Sequence, residues 1–276
     1  GAKLDGSDVL QFDGVARPYS AVSKKNFSNF YDNAWSLNNN LSLSGGSEST
    51  QYRLSVGDQR YHDLFPNSKL NRNNVSLNLT TDITKRITLQ ASVMYMRERV
   101  KNRQNVNDYS SNGNVLLWTL PPNIDIRSLS PAVKENGDEL LLSDMYVYFA
   151  NPYFIANKRA QQDAKDRMLG SLQLQYNITD NWYIRGKAGG DMIYRRAEST
   201  TPMGTGYLKE GNISASSTYN GEFNAEAILG YTNRFSDIWT VSAFAGWNSM
   251  IAWSETVSAY GSRFIQPNFN VIGNTE

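Results

Sequence analysis

The sequence predicts an all-β protein: an antiparallel up-and-down meander of about eight strands, part of a transmembrane β-barrel with long external loops. Three observations predict it. Apolar and polar residues alternate with period two over long segments, which sorts side chains onto two faces of a sheet. The connections between those segments alternate short and long, as they do between the two rims of a membrane barrel. Aromatic residues make up 12% of the chain, with 16 Tyr and 6 Trp, and several stand at segment ends.

Composition bounds the reading. The 276 residues are 40% hydrophobic with a formal net charge of +1, and mean hydropathy is −0.52. A soluble average does not exclude a membrane barrel, because alternating strands cancel in any hydropathy sum. The near-neutral charge gives no steering toward nucleic acid. With no cysteine, disulfides, thiol catalysis and Cys-zinc sites are excluded. No apolar run reaches the roughly 18 residues of a membrane helix. The start, Gly1-Ala2-Lys3-Leu4-Asp5, shows no signal peptide and no initiator Met, so the chain reads as a cleaved or excised piece.

Residues 1–30 are an irregular lead-in, broken by Asp5-Gly6-Ser7, Asp13-Gly14 and Arg17-Pro18. Residues 31–99 hold the first four barrel strands. Trp35, Leu37, Leu41 and Leu43 alternate with Ser and Asn; after a Ser/Gly turn, Tyr52, Leu54 and Val56 do the same. A longer connection, Gly57–Leu70, leads to Val75, Leu77 and Leu79, and a tight turn to Ile87, Leu89, Ala91, Val93 and Tyr95. Residues 100–166 show no clean alternation and read as a long external loop or insertion, the kind of connection that carries function. Within it, Lys158–Arg167 (KRAQQDAKDR) reads as a short polar helix.

Residues 167–253 hold the last four strands. Their apolar sets are Leu172, Leu174, Tyr176 and Ile178; Trp182, Ile184, Gly186, Ala188, Gly190 and Met192; Phe223, Ala225, Ala227, Leu229 and Tyr231; and Trp239, Val241, Ala243, Ala245 and Trp247. Residues 196–220 read as a long Ser/Thr/Gly connection, and 254–276 as a truncated external loop. Trp35, Tyr52, Trp182 and Trp239 are placed next to short turns, and Tyr95 and Trp247 toward the long loops. Trp239 and Trp247 are then about 27 Å apart along a strand, or roughly 20 Å of membrane height at a tilt of about 40°. Small residues on the greasy face suit lipid better than a close-packed core.

Chemistry is sparse. The sole histidine, His62, follows strand two and reads as a loop side chain, and no Ser carries a nucleophile elbow. Asp108 to Gly113 begins like a calcium loop, but its twelfth position is Thr119 rather than Glu. No catalytic residue, metal site or cofactor is expected. Asp163, Asp166 and Arg167 read as a solvated segment, and Gly189-Gly190 as a place for bending or close approach. Arg185, Lys187 and Asp191 alternate on one strand and are candidate lumen-lining charges that balance one another or meet a solute. Trp118, Tyr146, Tyr148, Phe149 and Tyr153, with Phe154 beside them, are candidate ligand contacts; the plainer reading makes them the insertion's own core or a partner surface.

Phe12-Asp13-Gly14, Arg17-Pro18-Tyr19-Ser20, Asn29-Phe30-Tyr31, Asn40-Leu41-Ser42-Leu43-Ser44-Gly45-Gly46, Tyr52-Arg53-Leu54-Ser55, Pro66-Asn67-Ser68 and Leu70-Asn71-Arg72-Asn73-Asn74 carry a family resemblance. In that order they resemble the SusC/RagA-like TonB-dependent outer-membrane transporters, and the likeness continues weakly to Pro267-Asn268-Phe269. The resemblance implies a slice of a 22-stranded barrel that follows an N-terminal plug. It further implies a TonB system acting through that plug, a SusD-like surface lipoprotein as partner, outer-membrane lipid around the wall, and an oligosaccharide or peptide solute. Eight strands could instead close on themselves as a small barrel. The alternative function is a soluble β-rich binding or interaction module, which would need polar residues on the greasy face.

Overall fold

The computed structural model describes residues 4–11, 14–106, 109–142 and 147–276. Eight long strands make one antiparallel sheet in sequence order: β3 (Trp35–Gly46), β4 (Thr50–His62), β5 (Lys69–Thr84), β6 (Ile87–Lys101), β7 (Ala160–Asn177), β8 (Trp182–Thr201), β9 (Asn212–Arg234) and β10 (Thr240–Ser262). They follow a short hairpin of β1 (Asp8–Leu10) and β2 (Ala16–Pro18) and a one-turn helix α1 (Asn26–Phe30). Among the described residues β3 and β10 pair only inward, so the sheet is open and does not close on itself.

Three of the four short turns share one device. Thr84 Oγ1 accepts from the backbone N–H groups of Arg86 and Ile87 at 3.2 and 3.1 Å. Thr179 Oγ1 accepts from Asn181 and Trp182, and Ser236 Oγ from Ile238 and Trp239. A hydroxyl that satisfies two turn amides fixes where each strand restarts, and so fixes register.

Register carries one parity through all eight strands. The row Leu41–Val56–Val75–Tyr95–Met168–Met192–Gly221–Trp253 is continuous across the sheet. The parallel row Leu43–Leu54–Leu77–Val93–Gly170–Gly190–Phe223–Ile251 lies beside it on the same face. Many of these side chains are exposed, Leu41 by 76% and Ile251 by 61%. An apolar surface this large and this exposed is a surface for lipid or for another protein layer. Tyr52, Tyr176, Trp182, Tyr231 and Trp239 stand near its short-turn edge, and Tyr95, Tyr194, Tyr219 and Trp253 toward its long-loop edge. Gly221 makes room for the Trp253 indole, which reaches Tyr219 with ring centroids 6.4 Å apart.

Strand ends differ from the sequence reading in a consistent direction. Lys158–Arg167 is not a helix: β7 begins at Ala160, and Asp163 and Lys165 pair with β6 and β8. The 196–220 connection shrinks to 202–211, Gly57–Leu70 shrinks to 63–68, and β10 runs past 253 to Ser262. Each correction lengthens a strand at the long-loop end. There the outward positions turn polar or charged, Asn71, Arg99 and Arg196 among them, so apolar alternation stops although the hydrogen-bonded ladder continues. Trp35 is also corrected. It pairs with His62, stacks on it at 6.0 Å, and so stands beside the 63–68 connection instead of a short turn. Trp247 lies on the short-turn half of β10, with Trp253 beyond it.

The buried core sits in the 102–159 insertion, away from the sheet faces. Helix α2 (Gly113–Thr119) is capped by Asn112, a 3-10 turn (Ile126–Leu129) by Asp125, and helix α3 (Pro152–Asn157) by Asn151. These short pieces bury Leu116, Leu117, Ile126, Leu129 and Ile155 together with Phe30 and Phe65. The lead-in is therefore part of this unit. Asn26 Nδ2 donates to Ile124 O at 2.9 Å while its Oδ1 accepts from Ile126 N at 3.0 Å.

Candidate functional site

The face opposite the apolar one is built from Asn, Ser, Thr, Gln and paired charges. Strand alternation places Arg185, Lys187 and Asp191 on it together. The Arg185 guanidinium approaches Glu226 at 3.4 Å. Asp191 accepts from Arg167 Nε at 2.8 Å. Lys187 is the register partner of Gln173 and Glu226. It shares a cavity of about 370 Å³ with Asp191, Glu222 and Glu226. Gly189 opens the middle of this cavity, where a side chain would press on the Gly170 carbonyl.

A second charged network lies farther toward the long loops. Glu98 bridges Arg72 and Lys165, the latter at 3.2 Å, and Arg195 forks onto Asp163. Glu98 is only 5% exposed. The sequence reading missed it, although its place between Arg97 and Arg99 on an alternating strand puts it on the polar face. Asp163 and Arg167, read as a loose solvated segment, are ladder residues with fixed partners. A further cavity of about 410 Å³ opens on this face beside the Arg195–Asp163 pair, lined by Arg103, Gln161, Ser214, Ser258 and Tyr260 among others.

The aromatic candidates divide. Phe149 and Tyr153 pack against the insertion core, Phe154 is buried, and the Tyr153 ring meets Phe30 edge-on at 5.1 Å. Trp118 and Tyr148 are each 69% exposed and face outward. Tyr146, and Asp108 of the calcium-loop reading, lie outside the described residues. Asn112 and Gly113 from that reading cap and begin α2. His62 Nδ1 lies 3.1 Å from the carbonyl of Asp63. Among the described residues no three His, Asp or Glu side chains gather as a metal site.

The insertion and the 202–211 connection are joined through Glu139, which is 1% exposed. Its Oε1 accepts from Asn151 N at 2.6 Å and its Oε2 from Gly206 N at 2.7 Å. Burial raises its carboxyl above the ordinary value, against the lowering effect of the two amides. Asn151 completes the junction by donating to the Leu129 and Leu140 carbonyls, both at 3.0 Å.

A long antiparallel meander that is apolar on one face and polar on the other has the form of a β-barrel wall. Among solved structures, the RagAB peptide importer has this fold. Its closed-closed state superposes with a TM-score of 0.73 over 98% of this chain at 15% identity. Its open-open state gives 0.72 over 91% at 16%. The pyoverdine-bound FpvA of P. aeruginosa gives 0.53 over 87% at 11%. The chain spans 30%, 28% and 30% of those three chains. No family model matches the sequence, and no curated protein matches it.

Proposed function

We propose that this chain is a barrel-wall segment of a SusC/RagA-like, TonB-dependent importer in the cell outer membrane, and not an enzyme. The observation that carries the reading is the single apolar parity through all eight strands, edged by aromatics and backed by an ion-paired polar face. Lipid would cover the first face, and plug and solute the second. In this reading 31–99 and 167–253 form the wall, 1–30 is the lead-in, and 100–166 and 254–276 stand outside the membrane.

A SusD-like surface lipoprotein would capture the solute against the outer loops, and the solute would pass when TonB displaces the plug. Arg185, Lys187 and Asp191 would line the lumen, and Trp118 and Tyr148 would meet the solute or the lipoprotein. The solute is an oligosaccharide or a peptide; the likeness to a peptide importer favours a peptide.

Circular dichroism with size-exclusion chromatography, in plain buffer and in detergent, tests the wall reading. β-structure and one discrete size only in detergent are expected. A monodisperse, cooperatively melting monomer in buffer would overturn it in favour of a soluble β module.

A further inference from the structure

The outer parity does not end at the aromatic edge. Beyond Tyr95 and Tyr194 it runs into a groove of about 900 Å³ lined by Lys69, Asn71, Arg99, Lys101, Arg196 and Ser217, with Ala164 and Val257 among its apolar surface. Lys69 and Lys101 are direct register partners on β5 and β6. Like charges directly opposite on one face repel and destabilise the pair. Among the described residues neither lysine has an ion-pair partner, and neither does Arg196. Arg196 instead lies over the Tyr194 ring at 5.7 Å. Arg99 is held in place by Asp166 at 2.8 Å. Glu198 is the acid left to offset three uncommitted cations, since the other acid lining the groove, Asp163, is paired with Arg195.

Height identifies the anion these cations lack. Arg99 is 12 positions along β6 from Ile87, and Arg196 is 14 along β8 from Trp182. At the standard rise and a tilt of about 40°, both stand roughly 30–35 Å above the short-turn edge of the apolar belt. That is about the thickness of a hydrocarbon core. The groove therefore sits at the far headgroup level, with an apolar surface running from it down to the acyl region.

We propose that this groove binds a membrane lipid with a phosphorylated headgroup, its phosphate between Lys69, Lys101 and Arg196 and its chains along the belt below. The proposal rests on the wall reading and goes beyond it.

The test uses the full chain in neutral detergent, with native mass spectrometry against bisphosphorylated lipid A, the same lipid stripped of phosphate, and inorganic phosphate. Retention of lipid A alone is expected, with at least a tenfold loss in Lys69→Gln/Lys101→Gln/Arg196→Gln. Lys69→Arg/Lys101→Arg keeps both charges and is expected to retain the lipid. Equal retention of the stripped lipid, full competition by inorganic phosphate, unchanged binding by the triple variant, or loss in the Arg variant would each overturn the site. Quenching of tryptophan emission by brominated detergent tests the wall separately. No quenching overturns the wall reading and the lipid site with it, whereas quenching with unchanged variant binding overturns the lipid site alone.

Discussion

The carboxylate of Glu139 accepts a hydrogen bond from the backbone N–H of Gly206 at 2.7 Å, tying two connections separated by 67 positions in sequence. No cation accompanies this buried acid among the described residues; two amides serve it instead. Because burial raises its folded pKa, the fold favours the protonated form more than the unfolded chain does. Stability from this group is thus present below the ordinary value of 4.5 and is lost as pH rises through the raised folded value. Hydrogen exchange, corrected for intrinsic rates, should show protection across 202–211 falling as pH climbs above about 4.5. Glu139→Gln should flatten that dependence and cost about 1–3 kcal/mol, since one amide loses its acceptor. Protection independent of pH in the unmodified chain would remove the junction from this role.

Ala91 and Gln90 are neighbours on β6 with opposite faces, which makes them a paired probe. Arg in place of Ala91, midway between Ile87 and Tyr95 on the apolar face, is expected to cost about 2–4 kcal/mol of folding free energy in lipid vesicles. Arg in place of Gln90, on the wet face, should fall within about 0.5 kcal/mol of the parent. Equal costs at the two positions would show that the faces are not distinguished by solvent.

Glu98 serves two cations on adjacent strands, Arg72 and Lys165. Glu98→Gln leaves both without their countercharge, and a loss of about 1–3 kcal/mol is expected, kept below the fully buried range by the partly exposed partners. A double-mutant cycle with Lys165→Met should return a coupling energy well above zero. Additivity would mean the bridge contributes nothing beyond its separate ends.

Gly221 lies against the Trp253 indole, and a methyl at 221 would occupy the ring's own position. Gly221→Ala should swing Trp253 off the strand, shift its emission in detergent and lower the unfolding midpoint by an amount corresponding to about 1–3 kcal/mol. An unchanged spectrum would mean that the ring does not rest there.

How much of this was legible depended on solvent. The belt strands could be read because lipid or water on each side demands a different residue at every second position, from Trp182 to Met192 for example. Above the belt that demand vanishes, so Ala160–Asp166 looked helical although the ladder to Val100 and Ala197 makes it strand. The insertion core was illegible for another reason. Its helices are too short to show a helical period, and Leu116 or Ile126 declares itself buried only once Phe30 and Phe65 arrive from distant sequence. The Arg185, Lys187 and Asp191 set followed from alternation alone, whereas their partners Arg167 and Glu226 needed register.

Strand length climbs across the sheet, from 12 residues in β3 to 23 in β10. The rows show where the increase falls. Trp35, the first residue of β3, shares a row with Ala259, three before the end of β10, whereas Gly46, the last of β3, shares one with Asn248, eight past its start. Each short turn is thus set farther along the strand direction than the one before, and strands staggered in this way must lean if their turns are to meet a level rim.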